Sequence, residues 1–378
     1  MRIGIDARQL SGQVVGTGRA LLSVLRVWAK ERFPHEVVLY ASRPPRLDFS
    51  NPYRVQTGLG SARWLGGSLW LQTELPLLAR RDRPDVFWAT TDILPLPLAG
   101  KVPCLLTVHD LGYYQIPELL SPYVRAVYRL FFRASLERAD RIIVTTSAVR
   151  EDLAGRGIDA KKIRVVPHGI TRLDDRGAQT ALGSLDKPPQ APGLPKDYFL
   201  FVGHLRPNKN IERTLLAFKD FLARLGPGPK PSLLLAGGRT ATDSGIFRLL
   251  DDPALAPHVR YLGYVEDARL EQLYRRALAF VTVSTYEGFG LPFLEAMAHG
   301  APVVAPTLPT AEEVCGDAAL YADPADARAV QDAFAKIWEN PELREDLKRR
   351  GAARAALFTW ESAAAKVRKL LEEIARPS

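Results

Sequence analysis

Between Ser284 and Gly300 the chain reads Ser-Thr-Tyr-Glu-Gly-Phe-Gly-Leu-Pro-Phe-Leu-Glu-Ala-Met-Ala-His-Gly. A strand-like run ends near Val283, a turn bearing Gly288 and Gly290 follows, and Pro292 sits where a helix opens, because its missing N–H costs nothing in a first turn. The amides of Phe289, Gly290 and Leu291 are then expected at a helix N-terminus, where unpaired N–H groups and the macrodipole favour a phosphate or hydroxyl oxygen. Glu287 lies in the loop and Glu295 is expected in the first helical turn, so two carboxylates are predicted to face one cleft and to suit a hydroxyl-rich ligand. The alternative makes Glu295 a complement to the helix dipole and Glu287 a solvated loop residue.

Two further spots combine polar chemistry with a strand end. Gly16-Thr17-Gly18-Arg19 follows the first strand-like run and opens a helical one, which suits either phosphate binding or simple turn chemistry. Thr107-Val108-His109-Asp110-Leu111 ends another run. His109 there is either a structural residue or a group at a reaction centre, and Asp110 either orients the imidazole or caps the next turn. No Asp-x-Asp occurs and the six histidines are scattered, so a Mg²⁺ or Mn²⁺ site has no candidate ligands.

These residues need elements to hold them. Short runs rich in Val, Ile and Leu at 2–6, 36–40, 86–88, 104–108, 141–145 and 163–166 alternate with helical stretches, among them 122–138 with Val124, Val127, Tyr128, Phe131 and Leu136 at helical spacing. Alternation of this kind predicts a parallel sheet with right-handed crossovers. A segment rich in Gly, Pro, Asp and Gln over 171–195 reads as a linker. Strand–helix alternation resumes at 198–202, 232–236, 259–262, 279–283 and 302–305, and the chain from 325 onward is nearly all helical. The prediction is two doubly wound α/β domains, 1–170 and 196–360, facing each other across a cleft, with a helix over 361–378 crossing back to the first. Ligand sites are then expected at the carboxyl ends of the strands.

At 378 residues with 47% hydrophobic and 25% charged side chains, the chain can bury two cores, and large-scale disorder is excluded. Cys104 and Cys315 form no metal or disulfide pattern. The opening MRIGIDARQL lacks the apolar run of a signal peptide, and no window nears the roughly 18 apolar residues of a membrane span, so a cytoplasmic, at most peripheral, protein is expected. Residues 1–170 hold 24 Lys and Arg against 15 Asp and Glu, whereas the remainder holds 27 of each, so the whole net charge of +9 belongs to the first half. That excess either meets something anionic or reflects an arginine-rich composition. Arg125, Arg129 and Arg133 recur every four residues, and Arg63-Trp64-Leu65 with Trp70 adds another basic and aromatic stretch. Both are either solvated surface and core or a contact with anionic lipid.

The Glu287 to Glu295 spacing resembles the E-x7-E motif of the retaining glycosyltransferase family 4, which has the two-domain GT-B fold. The resemblance extends in order along nearly the whole chain. Gly203-His204-Leu205-Arg206-Pro207-Asn208-Lys209-Asn210 resembles the family's loop after the first donor-domain strand, where an Arg and a Lys hold the diphosphate of a nucleotide sugar; Asn208 stands where many members carry the Arg, and Arg206 is the substitute. Val166-Pro167-His168-Gly169 resembles the usual domain-end VPNG, and Asp323-Pro324-Ala325-Asp326 the usual DPxD. The match from GIDAR to GTGR is similar to the mannosyltransferase-B-like subgroup.

The resemblance implies catalytic roles for His109, Arg206, Lys209 and Glu287. It implies donor binding at Gly16, Thr17, Gly18, Gly203, Phe289, Gly290, Leu291 and Glu295, with Glu287 on a sugar hydroxyl and Glu295 on the nucleotide ribose. Transfer is then metal-independent, with Lys209, Arg206 and helix amides neutralising the diphosphate. The implied reaction moves a hexose, mannose from GDP-mannose foremost, to a saccharide or lipid-linked acceptor in polysaccharide synthesis. A UDP-sugar-dependent hexosyl- or N-acetylhexosaminyltransferase is the alternative. A Rossmann dehydrogenase needs a third glycine that Gly16 to Leu21 lack, and the remote alternative, a non-enzymatic nucleotide or nucleic-acid binder using the basic half, lacks RNA-binding motifs.

Overall fold

A computed structural model describes residues 1–11, 14, 16–45, 47, 52–58, 62–170, 193–239 and 244–375. The linker expected over 171–195 lies outside the described residues up to position 192. The chain divides into two compact units, Met1–Gly169 with Thr359–Ser378 and Ile170–Phe358.

Unit 1 is built on seven strands: β1 (Arg2–Asp6), β2 (Glu36–Ala41), β3 (Arg54–Thr57), β4 (Val86–Ala89), β5 (Cys104–Val108), β6 (Arg141–Val144) and β7 (Ile163–Val165). All pairs are parallel, in the order β3-β2-β1-β4-β5-β6-β7. Central strands read as unbroken apolar runs because helices cover both faces. β1 carries β2 on one side (Ile3 opposite Val37) and β4 on the other (Ile3 opposite Val86), so the chain reverses its direction of travel across the sheet at β1 and β4. Loops leaving these strands diverge and open a crevice at their carboxyl ends.

One face is covered by the helix Thr17–Lys30 together with the helix Trp360–Ala375, which enclose Leu21, Val24, Trp28, Trp88, Trp360, Val367 and Leu371. The Trp28 indole N–H donates to Ala364 O at 3.2 Å, so even the polar atom of this buried ring is satisfied. The other face carries Phe87, Leu106 and Val108 against Leu75, Phe132 and Leu136.

Unit 2 repeats the plan with six parallel strands: β8 (Tyr198–Val202), β9 (Ser232–Ala236), β10 (Val259–Gly263), β11 (Ala279–Val281), β12 (Val303–Pro306) and β13 (Ala319–Ala322). Their order is β10-β9-β8-β11-β12-β13, which puts the reversal at β8 and β11. Phe199 and Phe201 of β8 pack against Phe218 and Phe221 of the helix Ile211–Arg224. Both sheets therefore match the doubly wound expectation. Two strands escape the sequence reading, β3 and β13. Each is a four-residue edge strand with little full burial, so it lacks the apolar run that betrays a central strand.

Candidate active site

In unit 2 the two loops at the strand reversal are tied together by their backbones. The loop after β8 makes one tight turn, Pro207–Lys209, closed by Lys209 N–H to Arg206 O at 2.9 Å. Asn210 then takes a left-handed conformation (φ 56°) and opens the next helix, its amide donating to Val283 O at 3.1 Å and Pro324 O at 2.8 Å. Thr285 N–H donates to Asn208 O at 2.9 Å, and the Asn208 amide reaches Tyr286 O at 3.4 Å. Asn208, read from sequence as a lost arginine, is thus a brace between loops.

This bracing sets the central pair. Lys209 Nζ lies 2.6 Å from Glu287 Oε1, and the Ser284 hydroxyl donates to the same oxygen at 2.7 Å. Both partners are largely buried, with side-chain exposures of 20% and 11%. An ion pair so placed keeps its strength because water screens it little, provided its hydrogen bonds are satisfied, as Ser284 helps to ensure. Arg206 and His204 are exposed on the same loop. His204 is held below the usual imidazole range by partial burial first and by the Arg206 and Lys209 charges next, the imprint of a positive field.

The turn after Glu287 ends at Gly290, whose φ of 86° disfavours any side chain and whose added Cβ would lie 2.3 Å from the Phe293 ring. The helix Leu291–Ala298 follows, with Pro292 in its first turn. Glu295 is a correction to the sequence reading: as the fifth helical residue it stands beyond the first turn, and its Oε2 accepts from the Tyr274 hydroxyl at 3.2 Å. Phe289 is buried, its ring edge-on to Phe358 at 6.1 Å. Gly203 follows β8 directly, with a φ of 153°.

In unit 1 the loops after β1, β4 and β5 converge. The Arg8 guanidinium grips buried Asp6 with two bonds, 2.9 Å to Oδ1 and 2.8 Å to Oδ2. His109 leaves β5 with its backbone N–H on Asp92 Oδ1 at 3.1 Å and its ring Nε2 2.8 Å from Thr90 O. A carbonyl only accepts, so Nε2 carries a proton, and in the neutral ring Nδ1 is then the acceptor. Nδ1 is buried without a hydrogen-bond partner among the described residues. Of the two roles open to Asp110 the structure gives the cap, Oδ1 accepting from Gly112 N–H at 2.7 Å.

Asp92, which the sequence reading missed, is the carboxylate that meets His109. It also accepts from the Tyr128 hydroxyl at 2.6 Å, and burial first and Asp110 second raise its pKa. Its place in the loop after β4, at the strand reversal, was the available signal. Gly16 precedes the first helix at φ 47°, and Gly18 sits one residue into it, where an added Cβ would meet Gln9 O at 2.8 Å. Thr17 lines a pocket with Thr90, His109, His168 and Trp360. Arg63 and Trp64 have side chains outside the described residues.

Two family models match the chain, Glycosyltransferase Family 4 over residues 14–172 and Glycosyl transferases group 1 over residues 186–354. The O-antigen chain mannosyltransferase B of Escherichia coli is 33% identical over 289 residues, covering 75% of this chain and 73% of that protein. The O-antigen chain mannosyltransferase RfbU of Salmonella typhimurium is 28% identical, over 74% and 71% of the two chains. Among solved structures, sucrose-phosphate synthase from Thermosynechococcus elongatus superimposes with a TM-score of 0.75 at 21% identity, covering 98% of each chain. Matches in both units, joined to two doubly wound sheets, show that the chain belongs to the family 4 glycosyltransferases of the GT-B fold and is a nucleotide-sugar-dependent glycosyltransferase.

Proposed function

We propose that the enzyme transfers mannose from GDP-mannose, with retention of configuration and without a metal ion, to a saccharide or lipid-linked saccharide acceptor in cell-surface polysaccharide synthesis. The observation that carries this reading is the 33% identity, over 75% of the chain, to a mannosyltransferase of O-antigen synthesis.

In unit 2, Lys209 and Arg206 hold the donor diphosphate and oppose the charge that grows on it as the sugar departs. Glu287 takes a sugar hydroxyl and Glu295 the nucleotide ribose, with Gly203 and the turn Phe289, Gly290 and Leu291 lining the donor site. Glu287 is a poor candidate for a covalent nucleophile, because one oxygen already accepts from Lys209 and Ser284. Front-face transfer follows. The acceptor oxygen bonds to the anomeric carbon on the side the diphosphate leaves, the bond from carbon to phosphate oxygen breaks, and that oxygen takes the acceptor's proton. Gly16, Thr17 and Gly18 of unit 1 take part in donor binding, and His109 offers Nδ1 to a hydroxyl hydrogen, with Nε2 engaged by Thr90 O.

Peripheral contact with an anionic membrane belongs to the same proposal. Among the described residues no helix is long and apolar enough to cross a membrane. The helix Pro122–Arg138 instead exposes Arg125 and Arg129 together with Tyr123 and Leu130, at 52% and 68% exposure. Basic and apolar groups on one face suit a lipid interface. The deciding experiment is calorimetric titration with a panel of GDP- and UDP-sugars, followed by transfer assays. Tightest binding and turnover with GDP-mannose are expected; turnover with a UDP-sugar and none with GDP-mannose overturns the donor assignment.

A further inference from the structure

Three rings stand in series inside unit 1. The His109 and His168 centroids are 5.5 Å apart with 30° between their planes, and His168 lies 5.6 Å from Trp360 with 43° between theirs. Trp360 is 7% exposed and opens the last helix. The chain beside His168 is locked onto it: a Cβ added at Gly169 would lie 2.2 Å from Trp360 N, so only a residue without a side chain lets the two backbones approach. Both flanks of His168 are therefore fixed, one ring against Trp360 and its neighbour's backbone against the same residue.

What this does for His109 follows from the torsions of an imidazole. Rotation about the bond from Cβ to the ring is soft, with broad wells, so one hydrogen bond from Nε2 to Thr90 O does not hold the ring plane. A second ring laid across the first removes that freedom. His168 is suited to the task because it brings no charge: burial pushes its pKa down to about 3, so it is neutral near neutral pH.

We infer that His168, backed by Trp360, is a positioning residue for His109: it holds the His109 imidazole in the plane that keeps Nε2–H on the Thr90 carbonyl and leaves Nδ1 as the free acceptor. The inference rests on the placement of His109 at the reaction centre given above. It does not make His168 catalytic, since its part is played through another side chain.

The test compares His168→Ala, His168→Asn and His168→Phe with wild type by steady-state kinetics and by ¹⁵N NMR of the His109 ring, read without substrate. Wild type is expected to show one tautomer, protonated at Nε2. His168→Ala and His168→Asn should show averaged ¹⁵N shifts and at least about a tenfold loss of kcat, the scale of cost that misplacing a reacting group brings, with donor KM within about twofold. His168→Phe restores the stack and should return both the tautomer and kcat to within about threefold of wild type. In a His109→Ala background the His168→Ala change should cost nothing more.

An unchanged ¹⁵N pattern in folded His168→Ala or His168→Asn overturns the stack. A Phe variant as impaired as the Asn variant overturns it too, in favour of a hydrogen-bonding role. A changed ¹⁵N pattern with wild-type kcat instead overturns the placement of His109 at the reaction centre, so the two failures are told apart. If His168→Ala does not fold, the contrast between Phe and Asn decides the matter alone.

Discussion

The Lys209 ammonium and the Glu287 carboxylate meet at 2.6 Å although 78 positions separate them in the chain. The Lys209 charge is therefore already balanced, and in the proposed donor site an arriving diphosphate would compete with Glu287 for it. Lys209→Ala should lower kcat at least about tenfold, since a contact that strengthens in the transition state is worth about 1.4 kcal/mol or more. Glu287→Gln should tighten GDP-mannose binding while lowering turnover, because it removes the competing charge together with the sugar-hydroxyl contact. Calorimetry with single-turnover kinetics separates the two effects; wild-type turnover in Lys209→Ala would sink the donor-site assignment.

Arg206→Ala and Asn208→Ala should divide along the structural line. Arg206 is exposed and free to meet a phosphate, so its loss should weaken donor binding. Asn208→Ala removes the 3.4 Å brace to Tyr286 O and should act through the fold of the loop, lowering the melting temperature along with affinity. Equal affinity losses with unchanged melting in both would show Asn208 touching the ligand.

Transfer should survive EDTA, with the positive charge of Lys209 and Arg206 doing the electrostatic work. Loss of turnover on chelation, restored by Mg²⁺ or Mn²⁺, would refute metal independence. His109→Ala in the same assay should reduce kcat more than donor affinity.

Unit 1 should lose stability on mild acidification through His168. Its folded pKa of about 3 lies below the value of 6.5 for a free imidazole, so between these limits the unfolded chain binds the proton and the folded chain does not. Stability is thus highest above pH 6.5 and falls as the pH drops toward 3, by up to about 2 kcal/mol at pH 5 from this group. Urea unfolding at pH 8 and pH 5, followed by tryptophan fluorescence, should show a smaller pH difference in His168→Phe than in wild type. An equal difference in both would mean that His168 does not carry the effect.

Liposome association, if driven by the arginine stripe, should be unequal among its members. Arg133 is already engaged by Glu137 at 2.6 Å, whereas Arg125 and Arg129 carry no ion pair among the described residues. At roughly 1 kcal/mol per basic residue near an anionic surface, replacing Arg125 and Arg129 by Ser should remove about 2 kcal/mol of binding, and Arg133→Ser little. Co-sedimentation should fall steeply with salt, since the Debye length is about 8 Å at physiological ionic strength. Equal sedimentation of wild type and variant would leave the stripe a solvated face.

The order of elements, both parallel sheets and the glycine turn before Leu291 were legible in the sequence, because they rest on local facts: apolar runs of strand length, a proline in a first turn, a glycine where φ is positive. Pairings between loops were not. Lys209 with Glu287, and His109 with Asp92 and His168, join residues delivered by different strands, and which side chains meet there depends on how crossover helices set the strand order. Sequence placed Glu295 in the first turn rather than just beyond it because a helix start is fixed by backbone geometry at Gly290, not by spacing alone. It gave Asn208 no role of its own because a brace to a distant carbonyl leaves no periodic trace, and it passed over β3 and β13 because an edge strand needs only one partner and one covered side. Chain-local chemistry thus decided the family and the fold, while the orientation of the His109 ring, with Nε2 on Thr90 O and His168 across it, was decided only by the tertiary contacts around it.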